Sequence, residues 1–371
     1  MQETSADAEL ITKLQTQGVR LVQIGLGSPS RRGGAGPSDH KAMTLGDTTF
    51  MAPVHTTQAS DSPYVALAPD TSGRSEILCG EASVGHIRFP SRPRFYDLET
   101  QDGIPYSKIA QLHAGDVLAT TVLQTCLRYE NKKTACKFCA IGQSLREGRT
   151  IARKTASQLA EVAKAAVELD GVKHMVMTTG TPNRTDRGAR VLTECAEAIR
   201  SAVDLPIQAQ CEPPDNDDWY RRLHDAGVDT LGMHLEVVNP VVRRRILPGK
   251  SEVTLAEYFR AFHVAVDVFG RSQVTTYLIA GLGDRVDEIL AVCRRLIRIG
   301  VYPFVVPLTP ISGTPLHGAK SPSAEMMSRI LKPLGRMLVD AGMGRETVKA
   351  GCARCGACSS LRNFEESAFS S

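Results

Sequence analysis

The chain has 371 residues, of which 42% are hydrophobic and 23% charged, with a net charge of +4. This length can bury a substantial core, and the slight excess of positive charge predicts neither a nucleic-acid nor a membrane partner. The sequence shows no apolar signal core and no run of about 18 apolar residues. Ten cysteines in such a chain predict reduced thiols and metal ligands, and therefore a cytoplasmic protein.

Residues 1–116 are expected to form an N-terminal extension that leads into the main domain. A short helix is predicted over residues 5–18. Gly, Pro, Ser and Thr dominate residues 25–69, which predicts turns with short strands or a partly mobile loop. Cys79 is isolated in the sequence, so a small buried apolar role is favoured over that of a distant metal ligand.

Strands and helices alternate over residues 117–320. Thr155 and Gln158 can cap the first helix. Such alternation predicts parallel strands joined by helical crossovers, and six units are too few to close as eight do. The expected fold is therefore α/β, an open (β/α)6 partial barrel, followed by a C-terminal helix and a Cys-rich segment over residues 321–371. The six predicted strands are residues 117–124, 174–179, 206–211, 230–236, 274–280 and 302–306.

Three cysteines follow the first predicted strand: Cys126, Cys136 and Cys139. The carboxyl end of a strand is where chemistry collects in α/β folds. A structural zinc site closes with four ligands, and a [4Fe–4S] cluster is normally held by four thiolates. Three thiols would leave one iron open to a small molecule. Half of a zinc site completed elsewhere in the chain is the alternative.

The sequence Cys136-Lys-Phe-Cys139 after the first strand resembles the cluster loop of the radical S-adenosylmethionine (SAM) superfamily. The resemblance implies a [4Fe–4S] cluster whose open iron chelates the amine and carboxylate of SAM, with Phe138 near the adenine. It also implies that a 5′-deoxyadenosyl radical takes a hydrogen atom from a small-molecule substrate, and that a donor such as flavodoxin or ferredoxin supplies electrons. Nine residues instead of three separate Cys126 from Cys136, and this charged insert is expected to bulge into solvent.

The resemblance extends to the ends of later strands. Thr178-Thr-Gly-Thr181 is similar to a motif that holds the SAM amine, and the Gly-rich sequence of residues 279–284 is similar to one that lies against adenine. The biotin-synthase and lipoyl-synthase-like branch implies a SAM contact at Glu236. One of three consecutive arginines is expected to pair with the SAM carboxylate or an anionic substrate, while the others are solvated. The implied cofactor-binding residues are Phe138, Thr179, Gly180, Thr181, Glu236, Arg244 and Gly281.

Polar residues on the third and fourth strands are candidates for substrate binding. Alternate residues of a strand face one side, so Gln208, Gln210 and Glu212 should share a face. Inward-facing amides are costly unless they are paired, which makes a ligand-binding role plausible for this set. His234 shares a face with Glu236 and is a further candidate.

A second cysteine motif lies near the C-terminus, where Cys352, Cys355 and Cys358 are separated by two residues each. A C-x2-C-x2-C run is typical of iron–sulfur proteins, and it predicts an auxiliary [4Fe–4S] cluster, with zinc as the alternative. Substrate, Ser359 or Cys79 would be the fourth ligand. Lipoyl synthases use a serine in this way, although their auxiliary cysteines precede the radical motif. The remaining helical cysteines, Cys195 and Cys293, are expected in the core.

Across its whole length the chain most resembles an incompletely characterised bacterial family whose genes lie beside an aliphatic nitrilase and an acetyltransferase. This implies a pathway of small molecules in nitrogen or nitrile metabolism, with an amino-acid-like substrate. Two alternatives stay open. One is a sulfur-inserting enzyme of lipoyl-synthase type, and the other is a non-enzymatic zinc-binding or metal-carrier module.

Overall fold

The computed structural model describes residues 7–22 and 38–369. Residues 25–37 of the Gly-rich stretch, and the start of the helix predicted at residue 5, lie outside these ranges. None of the helices described has the length and apolarity needed to cross a bilayer.

The N-terminal part forms a six-stranded sheet, which is more regular than the turns predicted there. Helix α1 (Ala8–Gln17) packs on this sheet, and a short helix α2 (Thr57–Ser60) connects two strands. The strand order is β1-β4-β5-β6-β2-β3, and only the β1–β4 pair is parallel. The strands are β1 (Arg20–Leu21), β2 (His40–Leu45), β3 (Thr48–Pro53), β4 (Tyr64–Ala66), β5 (Arg74–Cys79) and β6 (Ala82–Arg88).

A second, seven-stranded sheet forms the main domain and confirms the predicted open partial barrel. It curls without its edge strands pairing, in the order β7 to β13, and only β7 is antiparallel to its neighbour. All six predicted strands are present. The strands are β7 (Gln111–His113), β8 (Val117–Thr121), β9 (His174–Thr178), β10 (Ile207–Gln210), β11 (Thr230–Gly232), β12 (Val274–Ala280) and β13 (Val301–Pro307).

Helices occupy the crossovers between these strands. Thr155 and Gln158 form the predicted capping box, with the Gln158 N–H donating to Thr155 Oγ1 at 3.2 Å. Pro333 lies inside the long helix α11. The helices are α3 (Tyr106–Ile109), α4 (Ile141–Arg146), α5 (Ala156–Asp170), α6 (Ala189–Ala202), α7 (Asp218–Asp225), α8 (Pro240–Ile246), α9 (Leu255–Phe269), α10 (Val286–Arg298), α11 (Ala324–Asp340), α12 (Cys352–Cys355) and α13 (Leu361–Phe369), with 3-10 turns at Arg94–Asp97, Lys250–Glu252 and Arg345–Thr347.

The C-terminal cysteine segment lies across the amino-terminal edge of the barrel sheet. The Gly351 N–H donates to Nδ1 of His174, the first residue of β9, at 3.1 Å. The hydroxyl of Thr230, the first residue of β11, donates to the Ala350 carbonyl at 3.1 Å. The Cys126–Cys139 loop leaves the opposite, carboxyl edge, so the two cysteine motifs lie at opposite ends of the same strands.

The N-terminal sheet packs against this segment. The Met51 N–H and the Gln15 amide both donate to the Ala357 carbonyl, at 2.7 and 2.9 Å. The hydroxyls of Thr12 and Ser360 are 2.6 Å apart. These contacts join α1 and the N-terminal sheet to the C-terminal cysteine segment.

Candidate active site

The Cys126–Cys139 loop is fixed by close backbone contacts with the end of β9. The Gly180 N–H donates to the Leu123 carbonyl, and the Leu127 N–H to the Thr181 carbonyl, both at 2.9 Å. A Cβ at Gly180 would lie 3.0 Å from the Cys126 Cβ and still closer to the Thr125 carbonyl. A glycine is therefore required where the loop crosses the strand end.

The thiols of Cys136 and Cys139 lie in surroundings that favour their neutral form. Burial raises the pKa of Cys139 to about 11, and the thiol of Cys126 is near enough to add to the effect. Burial and the nearby Glu236 carboxylate raise the pKa of Cys136 as well. Since the thiolate is the ligand form, these cysteines ionise when a cationic group binds them.

The insert between the first two cysteines is exposed at residues 130–133, as predicted, but one of its side chains turns inward. The Arg128 guanidinium binds Glu212 through two nitrogens, at 2.8 and 2.9 Å, and both side chains are buried. Thr181 donates to the same carboxylate at 2.6 Å. Burial works against ionisation of Glu212, but Lys250 and Arg128 outweigh it and lower its pKa. This paired arrangement anchors the insert to the end of β10.

A second buried ion pair joins Lys250 and Glu236, whose Nζ and Oε1 atoms are 2.6 Å apart. Burial alone lowers the pKa of Lys250, but Glu236 and other neighbours outweigh burial and raise it. The second carboxylate oxygen, Glu236 Oε2, is buried with no hydrogen-bond partner among the described residues. Glu236 also has a φ of +57°, which is costly for a residue with a side chain and is frequent at functional sites.

A cavity of about 320 Å³ lies between the two cysteine motifs. Phe138 and Glu236 line one part of it, and Cys352 and Cys358 line another. Residues of the N-terminal sheet and of α1 complete the wall. Other lining residues are Gln15, His40, Met51, His113, Ala119, Val176, Thr178, Gln210, His234, Tyr277, Ile279, Val306, Pro307 and Thr309.

His234 lies in this cavity with a defined tautomer. Its Nδ1 accepts the Tyr277 backbone N–H at 3.2 Å, so Nε2 carries the proton. Nε2 is buried and has no hydrogen-bond partner among the residues that the structure describes. Burial, and to a smaller extent Lys250, lower the pKa of His234 to about 3, so the ring is neutral. The cavity therefore contains an unpaired donor at His234 and an unpaired acceptor at Glu236.

The C-terminal cysteines receive hydrogen bonds from the barrel interior. Gln210 Nε2 donates to Cys352 Sγ at 3.2 Å and to Gln208 Oε1 at 2.7 Å. The same Gln208 oxygen accepts the Cys352 N–H at 3.0 Å. His113 Nε2 lies 3.6 Å from Cys358 Sγ. The two glutamines predicted as substrate ligands are thus engaged with the cysteine segment, and Gln210 also reaches the cavity.

The structure does not bring every predicted residue to the cavity. Glu212 does not share the cavity face with Gln210, because β10 ends at Gln210 and the alternation stops there. Arg244 is exposed on α8, and the arginine that points inward is Arg243, which binds the carbonyls of Leu235 and Val237.

Other predicted positions have packing or capping contacts. Gly281 has a φ of +99° and lies against Pro322 and Leu308. The Thr179 hydroxyl donates to the carbonyl of Gly180. Ser359 Oγ accepts the Leu361 N–H at the start of α13, at 3.3 Å. A cofactor or cluster role for these residues stays a prediction.

The remaining cysteines lie away from the two motifs in sequence. Cys195 and Cys293 are buried in the core, as predicted. Cys79 packs against the core of the N-terminal sheet. Within residues 7–22 and 38–369, no three Cys, His, Asp or Glu side chains converge on a point that would hold a single metal ion.

Sequence reasoning missed Arg128, Lys250, His113 and Tyr277. Arg128 and Lys250 stand in polar loops, where no pattern marks a buried charge. Tyr277 was detectable, because it alternates with Ile279 on the inward face of β12. His113 belongs to the short antiparallel edge strand β7, which is not among the six predicted strands.

Comparisons with known proteins bear on the family. Residues 132–297 match the family model described as the Radical SAM superfamily, a range that begins after Cys126 and contains Cys136 and Cys139. Bacteriochlorophyllide c C-7(1)-hydroxylase from Chlorobaculum limnaeum is 26% identical over 216 residues, which cover 53% of this chain and 54% of that protein. The chain therefore spans about half the length of the curated relative that it matches.

Several solved structures are similar in part. A radical SAM methyltransferase from Sphaerobacter thermophilus has a TM-score of 0.48 and 17% identity, with 78% of this chain and 76% of that chain covered. Methylornithine synthase (PylB) has a TM-score of 0.47 and 15% identity, with 73% and 77% covered. The FeFe-hydrogenase maturase HydG from Carboxydothermus hydrogenoformans has a TM-score of 0.45 and 18% identity, with 61% and 52% covered. The family match over residues 132–297 and the curled parallel sheet agree with the prediction from the cysteine loop, and this segment of the chain is similar to the radical SAM superfamily of enzymes.

Proposed function

We propose that the protein reductively cleaves SAM and abstracts a hydrogen atom from a small, amino-acid-like substrate, and that it holds an auxiliary iron–sulfur cluster. The observation that carries this proposal is the shared cavity. Phe138 and Glu236, from the SAM side, line it together with Cys352 and Cys358 of the second motif. A substrate in this space would touch both groups.

The Cys126, Cys136 and Cys139 thiols fit a cluster better than a zinc ion. Zinc draws its ligands to about 2.3 Å from one point, whereas each thiolate of a [4Fe–4S] cluster binds a different iron. The described residues contain no group that converges on one ion, and the close crossing at Gly180 fixes the loop without any other ligand. When bound, such a cluster supplies the electron that splits SAM into methionine and a 5′-deoxyadenosyl radical.

The protein's own residues would bind and orient SAM. The unpaired Glu236 Oε2 is an acceptor for the amine or ribose hydroxyl of SAM, and Lys250 holds the other oxygen in place. Phe138 packs with the apolar cluster of Val237, Leu282 and Leu308, which offers a surface for adenine. The cavity walls are mostly apolar, and exclusion of water from such a site would protect a radical from side reactions.

The substrate is expected to be small. A volume of about 320 Å³ is at the lower end of the roughly 300–1,000 Å³ typical of ligand pockets. The hydrogen atom passes from a substrate C–H bond to the 5′ carbon, giving 5′-deoxyadenosine and a substrate radical. This chemistry is compatible with the predicted biotin-synthase and lipoyl-synthase-like branch and with the family encoded beside nitrilases. It is also compatible with a cytoplasmic enzyme that receives electrons from flavodoxin or ferredoxin.

A sulfur-inserting enzyme of lipoyl-synthase type is the second candidate. The presence of Cys352 and Cys358 in the cavity wall favours it, because a sulfur donor must meet the substrate radical directly. This candidate predicts that the auxiliary cluster is consumed in a single turnover and that an octanoyl substrate gains a thiol.

The test is anaerobic reconstitution of the full chain with iron and sulfide, followed by addition of SAM and reductant. We expect two clusters per chain and formation of 5′-deoxyadenosine. Cys139→Ala should lose one cluster and all SAM cleavage, and Cys355→Ala should lose only the other cluster. Cys195→Ala, in the core, is the control that keeps both. A colourless, zinc-loaded protein that makes no 5′-deoxyadenosine would refute the proposal and favour a metal carrier.

A further inference from the structure

We infer that Gln210, Tyr277 and His113 donate hydrogen bonds to the auxiliary thiolates and set the reduction potential of the auxiliary group above that of the SAM-binding group. The inference rests on the proposed function, because it concerns the group that Cys352, Cys355 and Cys358 would hold. It assigns these three residues to tuning of that group, and it makes the group an electron acceptor for the substrate radical.

The donors at Cys352 are fixed by their surroundings. Gln210 Nε2 has both of its hydrogens engaged, one with Cys352 Sγ and one with Gln208 Oε1. Gln208 Oε1 must be an acceptor, since it also receives the Cys352 N–H, and this sets the orientation of both amides. Tyr277 lines the cavity together with Cys352, and its hydroxyl acts to lower the pKa of this thiol against the larger effect of burial. Its ring is held by edge-on contacts with His234 and Phe304, at 4.6 and 5.2 Å between centroids.

The hydrogen bond between His113 and Cys358 can have only one donor, the imidazole, when the thiolate binds a metal. His113 Nε2 lies 3.6 Å from Cys358 Sγ, and His113 is buried. A thiolate ligand has no proton to give, so the imidazole must donate. His113 stands at the end of β7, where pairing with Val117 of β8 fixes its position.

The third cysteine, Cys355, faces positive charge at the amino-terminal edge of the barrel sheet. A hollow beside Cys355 is lined by Lys173, Lys349 and three arginines, against two carboxylates from Asp47 and Asp116. The arginines are Arg345, Arg354 and Arg362. Positive charge and hydrogen bonds both stabilise the additional negative charge of a reduced cluster, and so raise its potential.

Among residues 7–22 and 38–369, no side chain donates a hydrogen bond to the Cys126, Cys136 or Cys139 thiol. The Ile141 backbone N–H acts to lower the pKa of Cys139 against burial. The neighbouring cation, Lys250, is neutralised by its ion pair with Glu236. The two groups therefore differ in electron affinity in a defined direction.

This difference implies a net oxidation. The substrate would lose one hydrogen atom to the 5′-deoxyadenosyl radical, then one electron to the auxiliary group and one proton to solvent. Two electrons and two protons leave the substrate in total, which gives a desaturated product. SAM and the auxiliary group each accept one of these electron equivalents, so no further oxidant is required in a single turnover.

The test is an anaerobic redox titration of the reconstituted full chain, followed by electron paramagnetic resonance. We expect the auxiliary signal to appear at a higher potential than the SAM-responsive signal. Tyr277→Phe and Gln210→Met should each lower the auxiliary potential, by an amount that corresponds to about a tenfold loss of electron affinity, or about 59 mV for one electron. The SAM-responsive signal should not move.

Tyr220→Phe is the matched control, because it removes a buried hydroxyl that has no partner in the described residues. Unchanged auxiliary potentials in both variants, or an auxiliary potential below that of the SAM-binding group, would overturn the inference. Loss of the auxiliary signal in both variants would also overturn it, because the residues would then hold the group and not tune it. Absence of a second signal in the unsubstituted protein would instead refute the auxiliary cluster of the proposed function.

Discussion

Substitution of Gly180 by alanine should displace the Cys126 loop. An added Cβ would lie 2.8 Å from the Thr125 carbonyl carbon, about 0.6 Å inside the 3.4 Å at which ordinary contact begins, and nearer still to the carbonyl oxygen. The obstacle is backbone, so it cannot move aside as the end of a flexible side chain can. Overpacking of this kind costs about 1–3 kcal/mol, and occasionally more. The strain falls on the loop that carries the first thiol, so cluster binding should suffer more than global stability.

The assay combines iron and sulfide content, anaerobic urea unfolding and 5′-deoxyadenosine formation. Gly180→Ala should bind one cluster fewer than the unsubstituted protein and lose SAM cleavage, with the auxiliary signal retained. Gly318→Ala is the control, because its Cβ would have nothing within 4 Å and it has no positive φ. If Gly180→Ala kept full iron content and matched Gly318→Ala in stability, the argument that this crossing positions the loop would be refuted.

Three further predictions concern the other buried contacts. Gly351 has a φ of +94°, and a Cβ at this position would overlap the Gln208 carboxamide. Gly351→Ala should therefore lose the auxiliary cluster and keep SAM cleavage, as measured by iron content and 5′-deoxyadenosine formation. Retention of both clusters would contradict this. Lys250→Met should lower the free energy of unfolding, measured in urea, by about 3–5 kcal/mol, because it leaves the buried Glu236 charge unpaired. The double variant with Glu236→Gln should recover part of that loss. Strictly additive effects of the two substitutions would count against the ion pair. Burial lowers the pKa of His174 to about 4, from 6.5 in the unfolded chain. As the pH falls from 6.5 to 4, the unfolded chain binds a proton at this residue before the folded chain does. The free energy of unfolding should therefore decrease by roughly 3 kcal/mol over this pH range. His174→Gln should flatten that part of the urea-midpoint profile, and an unchanged slope would rule out this origin.

The barrel was predictable because its pattern is local. Each strand is a short apolar run, each helix has an apolar face, and the capping box at Thr155 and Gln158 is encoded in adjacent residues. The N-terminal sheet was predicted less well. Its strands, such as β1 (Arg20–Leu21) and β4 (Tyr64–Ala66), are two to seven residues long and interrupted by Gly and Pro, and their pairing depends on distant partners.

The candidate site divides in the same way. Cysteine spacing identified both thiol motifs, since a metal-binding loop is compact in sequence. Period-two alternation predicted that His234 and Glu236 share a face, and both line the cavity although β11 ends at Gly232. It failed at Glu212, where the strand had already ended and a salt bridge to Arg128, 84 residues away, decided the side chain's position.

Residues close together in the chain encode the alternating α/β architecture, the two sets of three thiols and the family resemblance, so these features can be inferred without coordinates. The position of Cys352 and Cys358 in the cavity that Phe138 and Glu236 also line depends on the folded chain. Contacts across more than a hundred residues, such as Gly351 to His174, hold the C-terminal segment against the strand starts. The same packing selected Lys250 and Arg128 for burial, since a charge can be buried only where the fold supplies its partner.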